Sequence, residues 1–397
     1  MISQHEKQLL KLLDGVLHST PIPHIDAEEW EPLYNEMKDQ CVSILPSDYM
    51  DEFPLNPEQA EEYWGSVGKA IQYFYNILLE QSDVVSILHD AGIPVAVLKG
   101  AAAAMSYPHP EYRSMGDIDL IVLQEQFADA YHALIDHGYK VEGDNTLQVY
   151  HRHIGFTGPS GIEIELHHHF SSNLTKEYSD ALDVIISEGI PNCQTVDMSG
   201  FNVPVLPPLE NGLVLLAHIQ QHLSSGLGLR QIIDWMMYVE KYLNDDFWNA
   251  EFKDAADRSG LKKLAVVSTL MCQKHLGLDP KITWCQDGHN EELCDELLEY
   301  VVKRGNFGRK MGRLTSGSHS RLRMLRNPIE TIKTAQRHGI AKWKLLNKFP
   351  WLGPFAWIYQ LIVWPIHAIQ HGYTPKELLK NRKQANAEVD FFEKLKD

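Results

Sequence analysis

The chain has 397 residues and a formal net charge of −17, which argues against a general nucleic-acid binder, since such proteins are basic. Its length allows two or three units of roughly 150 residues, each with a core of its own. With 44% hydrophobic and 22% charged residues, the composition is that of a soluble globular protein.

The charge is uneven. Residues 301–350 hold six Lys and seven Arg against Glu330 alone, so this stretch carries +12 and the remainder −29. The strip reads either as a surface for an anionic substrate or as a solvated helical face paired with acidic neighbours. Five cysteines, Cys41, Cys193, Cys272, Cys285 and Cys294, are scattered without a CxxC pair. Their odd number and wide spacing suit a reducing compartment, and a cytoplasmic location is expected.

Taken in chain order, residues 1–90 read as helical. Leu9, Leu10, Leu12, Leu13 and Val16 make one apolar face near an N-terminus that lacks the features of a signal peptide. A second helix is expected over about Ala27 to Ser43, and a loop from Pro46 to Pro57. A long helix then runs to Asp90, with Tyr63, Val67, Ile71, Phe74, Tyr75 and Leu78 at helical spacing and Gly92 at its end.

The pattern changes at residue 91. Ile93 to Leu98 reads as a strand, Ala101 to Ser106 as a short helix, Asp117 to Val122 as a strand, and Gln124 to His137 as a helix closed by Gly138. Two more strands, about His151 to Phe156 and Ile162 to His168, flank a Gly158-Pro-Ser-Gly161 turn. From Pro207 the chain turns helical again, with helices over Leu209 to Ser224 and Leu229 to Tyr242. The expected fold is α+β: a small mixed sheet over 91–206, between helical regions at 1–90 and 207–397. The apolar stretch Phe349 to Ile369 is long enough to cross a bilayer, but Pro350, Pro354, Pro365 and Gln360 interrupt it. It reads as a buried or partner-facing helix, with peripheral membrane contact as the alternative.

The chemistry centres on Asp117-Ile118-Asp119. Side chains alternate along a strand, so both carboxylates share one face. Two close carboxylates repel unless a cation neutralises them, and a hard divalent ion such as Mg²⁺ is the natural partner where phosphates complete its shell. In Ile162–His169, alternation puts Glu163, Glu165, His167 and His169 on one face. Glu165 could therefore add a third carboxylate for two metals, which activate an attacking group and stabilise a leaving phosphate. His167 reads either as a contact to substrate or metal ligands, or as structural. Adjacent histidines on a strand point to opposite faces, which disfavours a zinc site built from the His run. Lys99-Gly100 lies at a strand-to-helix turn suited to a phosphate, and Lys99 and Arg113 could add charge to a triphosphate. Each also has a structural reading, Lys99 at a strand end and Arg113 as a partner for the Asp pair.

These residues resemble a known family. Pro94-Val-Ala-Val-Leu-Lys-Gly100, Tyr107-Pro108, Arg113 and Asp117-Ile-Asp-Leu-Ile-Val122 are similar to the LKG…Y…R…DIDLLV pattern of the bacterial uncharacterised nucleotidyltransferase family, within the polymerase-β-like superfamily. Ile164-Glu-Leu-His167 looks like its later acidic strand, and the segment with His218, His222, Arg230 and Asp234 like its downstream helices. The resemblance covers roughly residues 60–240. It departs from the superfamily in having Lys99-Gly100 for the usual Gly-Ser pair, and Glu165 where Asp is common.

The resemblance implies a nucleotidyltransferase that moves an NMP from an NTP to an acceptor. Asp117, Asp119 and Glu165 would be catalytic metal ligands for Mg²⁺ or Mn²⁺, with Gly100 and Arg113 at the nucleotide. His218 and His222, four residues apart on one helix face, and Arg230 would meet the acceptor. A buried His pair can equally be structural. The acceptor is expected to be a small molecule, peptide or protein, with tRNA left open. The alternatives are a nucleotide-binding regulator without catalysis and a toxin-like enzyme acting on tRNA or protein.

Overall fold

In a computed structural model of the chain, residues 2–141, 153–170, 174–286, 288–311, 328–370 and 390–395 are described. Met1–Lys310 form one compact unit and Met311–Lys394 a second.

The first unit opens with helices α1 (Gln4–His18) and α2 (Ala27–Asp39). Ser3 caps α1 by accepting from the Glu6 amide while the Glu6 carboxylate accepts from the Ser3 amide, which satisfies two otherwise orphaned donors. Leu9, Leu10, Leu12 and Leu13 are buried as the spacing predicts, but Leu17 completes the face and Val16 is only partly covered. The loop expected before Pro57 contains a 3-10 turn over Ser47–Glu52.

Helix α3 (Pro57–Asp90) has the bounds the sequence suggests. Asn56 caps it, Pro57 occupies its first turn, and Gly92 follows its end with φ +72°. Tyr63, Val67, Phe74 and Leu78 face inward, whereas Tyr75 is 39% exposed. Tyr75 directly follows Phe74, so the roughly 100° step per residue carries it off the buried stripe.

Next come β1 (Val95–Leu98), α4 (Gly100–Ala104), β2 (Ile118–Val122), α5 (Phe127–Asp136), β3 (Lys140–Val141), β4 (His153–Thr157), β5 (Glu163–His167) and α6 (Lys176–Gly189). They are followed by the hairpin β6 (Gln194–Met198) and β7 (Phe201–Val205). The start of the strand expected from His151 lies outside the described residues. The seven strands form one mixed sheet in the order β3-β4-β5-β2-β1-β7-β6. Strand β2 runs antiparallel to β1 and parallel to β5. The second half of α3 and α5 pack on the sheet through a core that includes Phe74, Leu78, Leu88, Leu120, Leu134, Phe156, Ile164 and Leu166. The inward positions of β2 and β5 thus fix which side chains are left for the other face.

Helices α7 (Pro208–His222), α8 (Leu229–Tyr242), a single turn α9 (Asp245–Phe247), α10 (Lys253–Arg258), α11 (Lys262–His275) and α12 (Glu291–Arg304) complete the first unit. Helices α7 and α8 approach closely at Gly212, where a Cβ would fall 2.4 Å from the Tyr238 ring. A polar knot ties the first helices to this bundle. Lys310 Nζ donates to Glu6 at 2.9 Å and to Glu36 at 2.7 Å, and Gln40 accepts from the Leu229 amide at 3.0 Å. Lys310 thus shows the acid-paired reading of the basic strip at one position. Residues 312–327 of that strip lie outside the described residues.

The second unit holds α13 (Pro328–Lys342) and α14 (Ala356–Gln370), which pack on each other. Gln336 joins them by donating to the Gly353 carbonyl at 2.7 Å and accepting from the Trp357 amide at 3.1 Å. Pro350 and Pro354 fall in the 3-10 turns ahead of α14, but Pro365 lies within the helix and does not end it. Ile358, Ile362 and Ile366 are exposed along α14. Among the described residues, no helix is long and apolar enough to cross a membrane.

Candidate active site

Three neighbouring strands build the site. Asp117 stands at the mouth of β2 and Asp119 inside it, with Ile118 turned into the core. In the parallel ladder Asp119 is paired with Glu165 of β5. The alternation read from the sequence therefore brings three carboxylates together, with oxygens of Asp117, Asp119 and Glu165 all within 4.8 Å of one another. Glu163, on the same face, is exposed, while His169 lies beyond the strand end and contacts Asp183 at 3.1 Å.

Such crowding needs compensation, and the chain supplies it. Lys99 Nζ donates to Asp119 Oδ1 at 2.8 Å. His167 Nε2 lies 3.0 Å from the same oxygen and 3.2 Å from Glu165 Oε2. Burial alone would raise the Asp119 carboxyl, but Lys99 and His167 outweigh it and hold the group well below the usual range. Burial opposes a charged His167, yet the two carboxylates carry its pKa above the ordinary value. Contact with His167 lowers Glu165 against its own burial. Among the described residues no cation pairs with Asp117, and burial with the Asp119 charge pushes it up to about 6. Among the described residues, no hydrogen bond falls on Asp119 Oδ2. With Asp117 and Glu165 alongside, this leaves an oxygen donor set that fits a hard divalent cation.

The turn from β1 into α4 places Lys99. Lys99 has φ +49° and Gly100 φ +25°. A Cβ on Gly100 would meet nothing closer than 3.7 Å, so backbone conformation and not space favours glycine there. The sequence pairs Lys99 with phosphates or a strand end, and the structure buries it against Asp119 instead. Tyr73 of α3 was not legible as a site residue. Its hydroxyl donates to the Gly116 carbonyl at 2.7 Å, just before the Asp pair.

Arg113 belongs to a second cluster. Its Nε and Nη2 donate to Asp234 of α8 at 2.9 and 2.7 Å, and Tyr107 donates to the same carboxylate at 2.7 Å. Arg230 is beside it, with Nη1 donating to the Ser114 carbonyl at 3.0 Å and its buried Nε without a partner among the described residues. Burial and the Arg113 charge lower the Arg230 pKa. The cluster locks the loop leading into Asp117 to α8. The fork of donors expected to serve a phosphate thus grips a protein carboxylate here.

His218 and His222 are buried on α7, with ring centroids 4.5 Å apart, and Phe307 lies 4.9 Å from His222. Burial, then the Lys99 charge, drives His218 well below its ordinary pKa and His222 to about 4. Both rings are therefore neutral and within electrostatic reach of the carboxylate site.

Residues 26–277 match the family described as uncharacterised nucleotidyltransferase. The chain belongs to this family. The match spans more than half of it and includes every candidate residue named above. The enzyme is thus a nucleotidyltransferase by family. Two solved structures show a distant likeness. One is the antibiotic-resistance factor ANT(2'')-Ia, with 10% identity, 50% of this chain and 95% of that chain covered, and a TM-score of 0.31. The other is an antigenic nucleotidyltransferase-like protein from Paracoccidioides brasiliensis, with 15% identity, 52% and 94% coverage, and a TM-score of 0.33. No curated protein matches.

Proposed function

We propose that this enzyme transfers an NMP from an NTP to a small-molecule, peptide or protein acceptor, with release of pyrophosphate. The convergence of Asp117, Asp119 and Glu165 oxygens within 4.8 Å carries this reading. These residues would hold Mg²⁺ or Mn²⁺, which when bound neutralises phosphate charge and activates the attacking group. In the transfer, the bond from the acceptor to the α-phosphorus forms as the bond to pyrophosphate breaks.

The chain's own groups frame that step. Lys99 keeps Asp119 ionised and aimed at the face. The amides at the Lys99-Gly100 turn would serve as backbone donors to a phosphate; α4 is only five residues long, so individual N–H groups matter more than a helix dipole. The Arg113–Asp234 pair holds the loop that delivers Asp117, and Arg230 of α8, which also grips that loop at Ser114, keeps a buried Nε donor without a partner among the described residues. The neutral imidazoles of His218 and His222 would form the acceptor's wall. Incubation with each labelled NTP, Mg²⁺ or Mn²⁺ and a cell lysate should yield one labelled product, lost in Asp119→Asn. Absence of both product and metal-dependent NTP binding refutes the reading.

One observation favours the regulatory alternative: Lys99 and His167 already neutralise Asp119 within the chain. NTP binding without pyrophosphate release under all these conditions would select it.

A further inference from the structure

Strand β4 adds a histidine to this face that the carboxylate reading does not use. In the antiparallel ladder His153 is directly opposite His167, and Gly155 is opposite Glu165. His153, Glu165 and His167 therefore share one side of the sheet, and Gly155 puts no side chain between them. His153 Nε2 is 3.6 Å from Glu165 Oε1, while His167 Nε2 is 3.2 Å from Glu165 Oε2. The two rings lie 4.8 Å apart, and one ligand atom from each of the three residues falls within 4.8 Å of the others. Donors around a single first-row ion, with bonds near 2.0–2.2 Å, are about 3–4 Å apart. The observed spacing is already close to that of a filled site.

The three residues differ in exposure. His167 is buried, with Nδ1 lacking a partner among the described residues, whereas His153 and Glu165 remain open on the solvent side. One wall of the site is thus fixed, and the other is accessible to an ion and to additional ligands.

We propose that His153, Glu165 and His167 form a second divalent-metal site of two imidazoles and one carboxylate, selective for a transition metal such as Cu²⁺, Co²⁺ or Zn²⁺. Imidazole suits these ions, whereas the all-oxygen set of Asp117, Asp119 and Glu165 suits Mg²⁺. Glu165 is common to both sets, so its longer side chain is the bridge between a hard site and a softer one. The inference shares Glu165 with the proposed transfer reaction, but metal binding at the histidines stands apart from turnover.

The test uses the full-length protein with Cu²⁺ as the probe, reading nitrogen hyperfine coupling by pulsed electron paramagnetic resonance, and with Co²⁺ by ligand-field absorption and calorimetry. Wild type should show imidazole nitrogen coupling to Cu²⁺ and a Co²⁺ band that saturates. His153→Gln, on a half-buried position at the solvent side of β4, should keep its melting temperature, lose one nitrogen coupling and weaken Co²⁺ binding at least about tenfold. Asp117→Asn should retain the nitrogen signal, because it touches only the oxygen set. Absence of nitrogen coupling in wild type, or unchanged coupling and Co²⁺ affinity in His153→Gln, overturns the proposal. Coupling that persists in a protein releasing no pyrophosphate would refute the transfer reading and leave the metal site standing.

Discussion

Lys99 Nζ and Asp119 Oδ1 are 2.8 Å apart, with 11% and 4% of their side chains exposed. A buried pair of this kind is costly to break from one side, because the surviving charge is left without its partner. Lys99→Met should lower the free energy of unfolding by about 3 kcal/mol, measured by urea denaturation. Excess Mg²⁺ should restore more stability to Lys99→Met than to wild type, since an ion bound only to the folded chain stabilises it. Equal stability of the variant and wild type would show that the pair contributes little to the fold.

The Arg113–Asp234 fork makes a parallel prediction away from the carboxylates. Asp234 is 1% exposed and receives three side-chain hydrogen bonds, two from Arg113 and one from Tyr107. Arg113→Ala and Asp234→Ala should each cost about 3–5 kcal/mol. The double variant should cost less than their sum. Strict additivity in the thermodynamic cycle would mean that the two residues act independently.

Asp117 is the strained member of the carboxylate group. Its folded pKa is pushed up to about 6, so at neutral pH it is still mostly ionised and its charge weakens the fold relative to the unfolded chain. Asp117→Asn should abolish nucleotide transfer while raising the thermal midpoint. A variant with wild-type turnover would remove Asp117 from the catalytic set, and one with a lower midpoint would remove the repulsion argument.

His18 links α1 to α8 through an ion pair with Glu240 at 2.9 Å, and also contacts Asp14. The Glu240 contact, against burial, raises its pKa to about 9. Because the folded pKa is above the unfolded value, this stabilisation is full below about pH 6.5 and is lost as pH rises through about 9. Wild type should therefore lose about 1–3 kcal/mol more than His18→Gln between pH 6 and 10. Parallel stability–pH curves for the two proteins would contradict the assignment.

On α7, His222→Gln should impair use of the acceptor more than binding of NTP, because the ring is neutral and its helix packs on α8 beside the Arg113 cluster rather than supplying a carboxylate. Product formation from the identified acceptor and equilibrium NTP binding, compared in the same variant, decide this. A matched loss of both would place His222 in the nucleotide site or the core.

The bounds of α3 and α8, the face of α1 and the common face of Asp117, Asp119 and Glu165 were legible in the sequence, because helical and strand periodicities are local properties of the chain. So were Lys99, Gly100 and Arg113 as residues of interest, but their contacts were not. That Lys99 neutralises Asp119 depends on β1 lying antiparallel to β2. Arg113 is held by Asp234 only because α8, 121 positions along the chain, returns to that loop. His153 joined the site through its pairing with His167, and β6–β7 joined the sheet through a parallel contact with β1. A sequence pattern states which side chains share a face. Which partner faces them is decided by strand order and helix packing, where long-range burial and charge compensation select one arrangement among many that the local pattern permits.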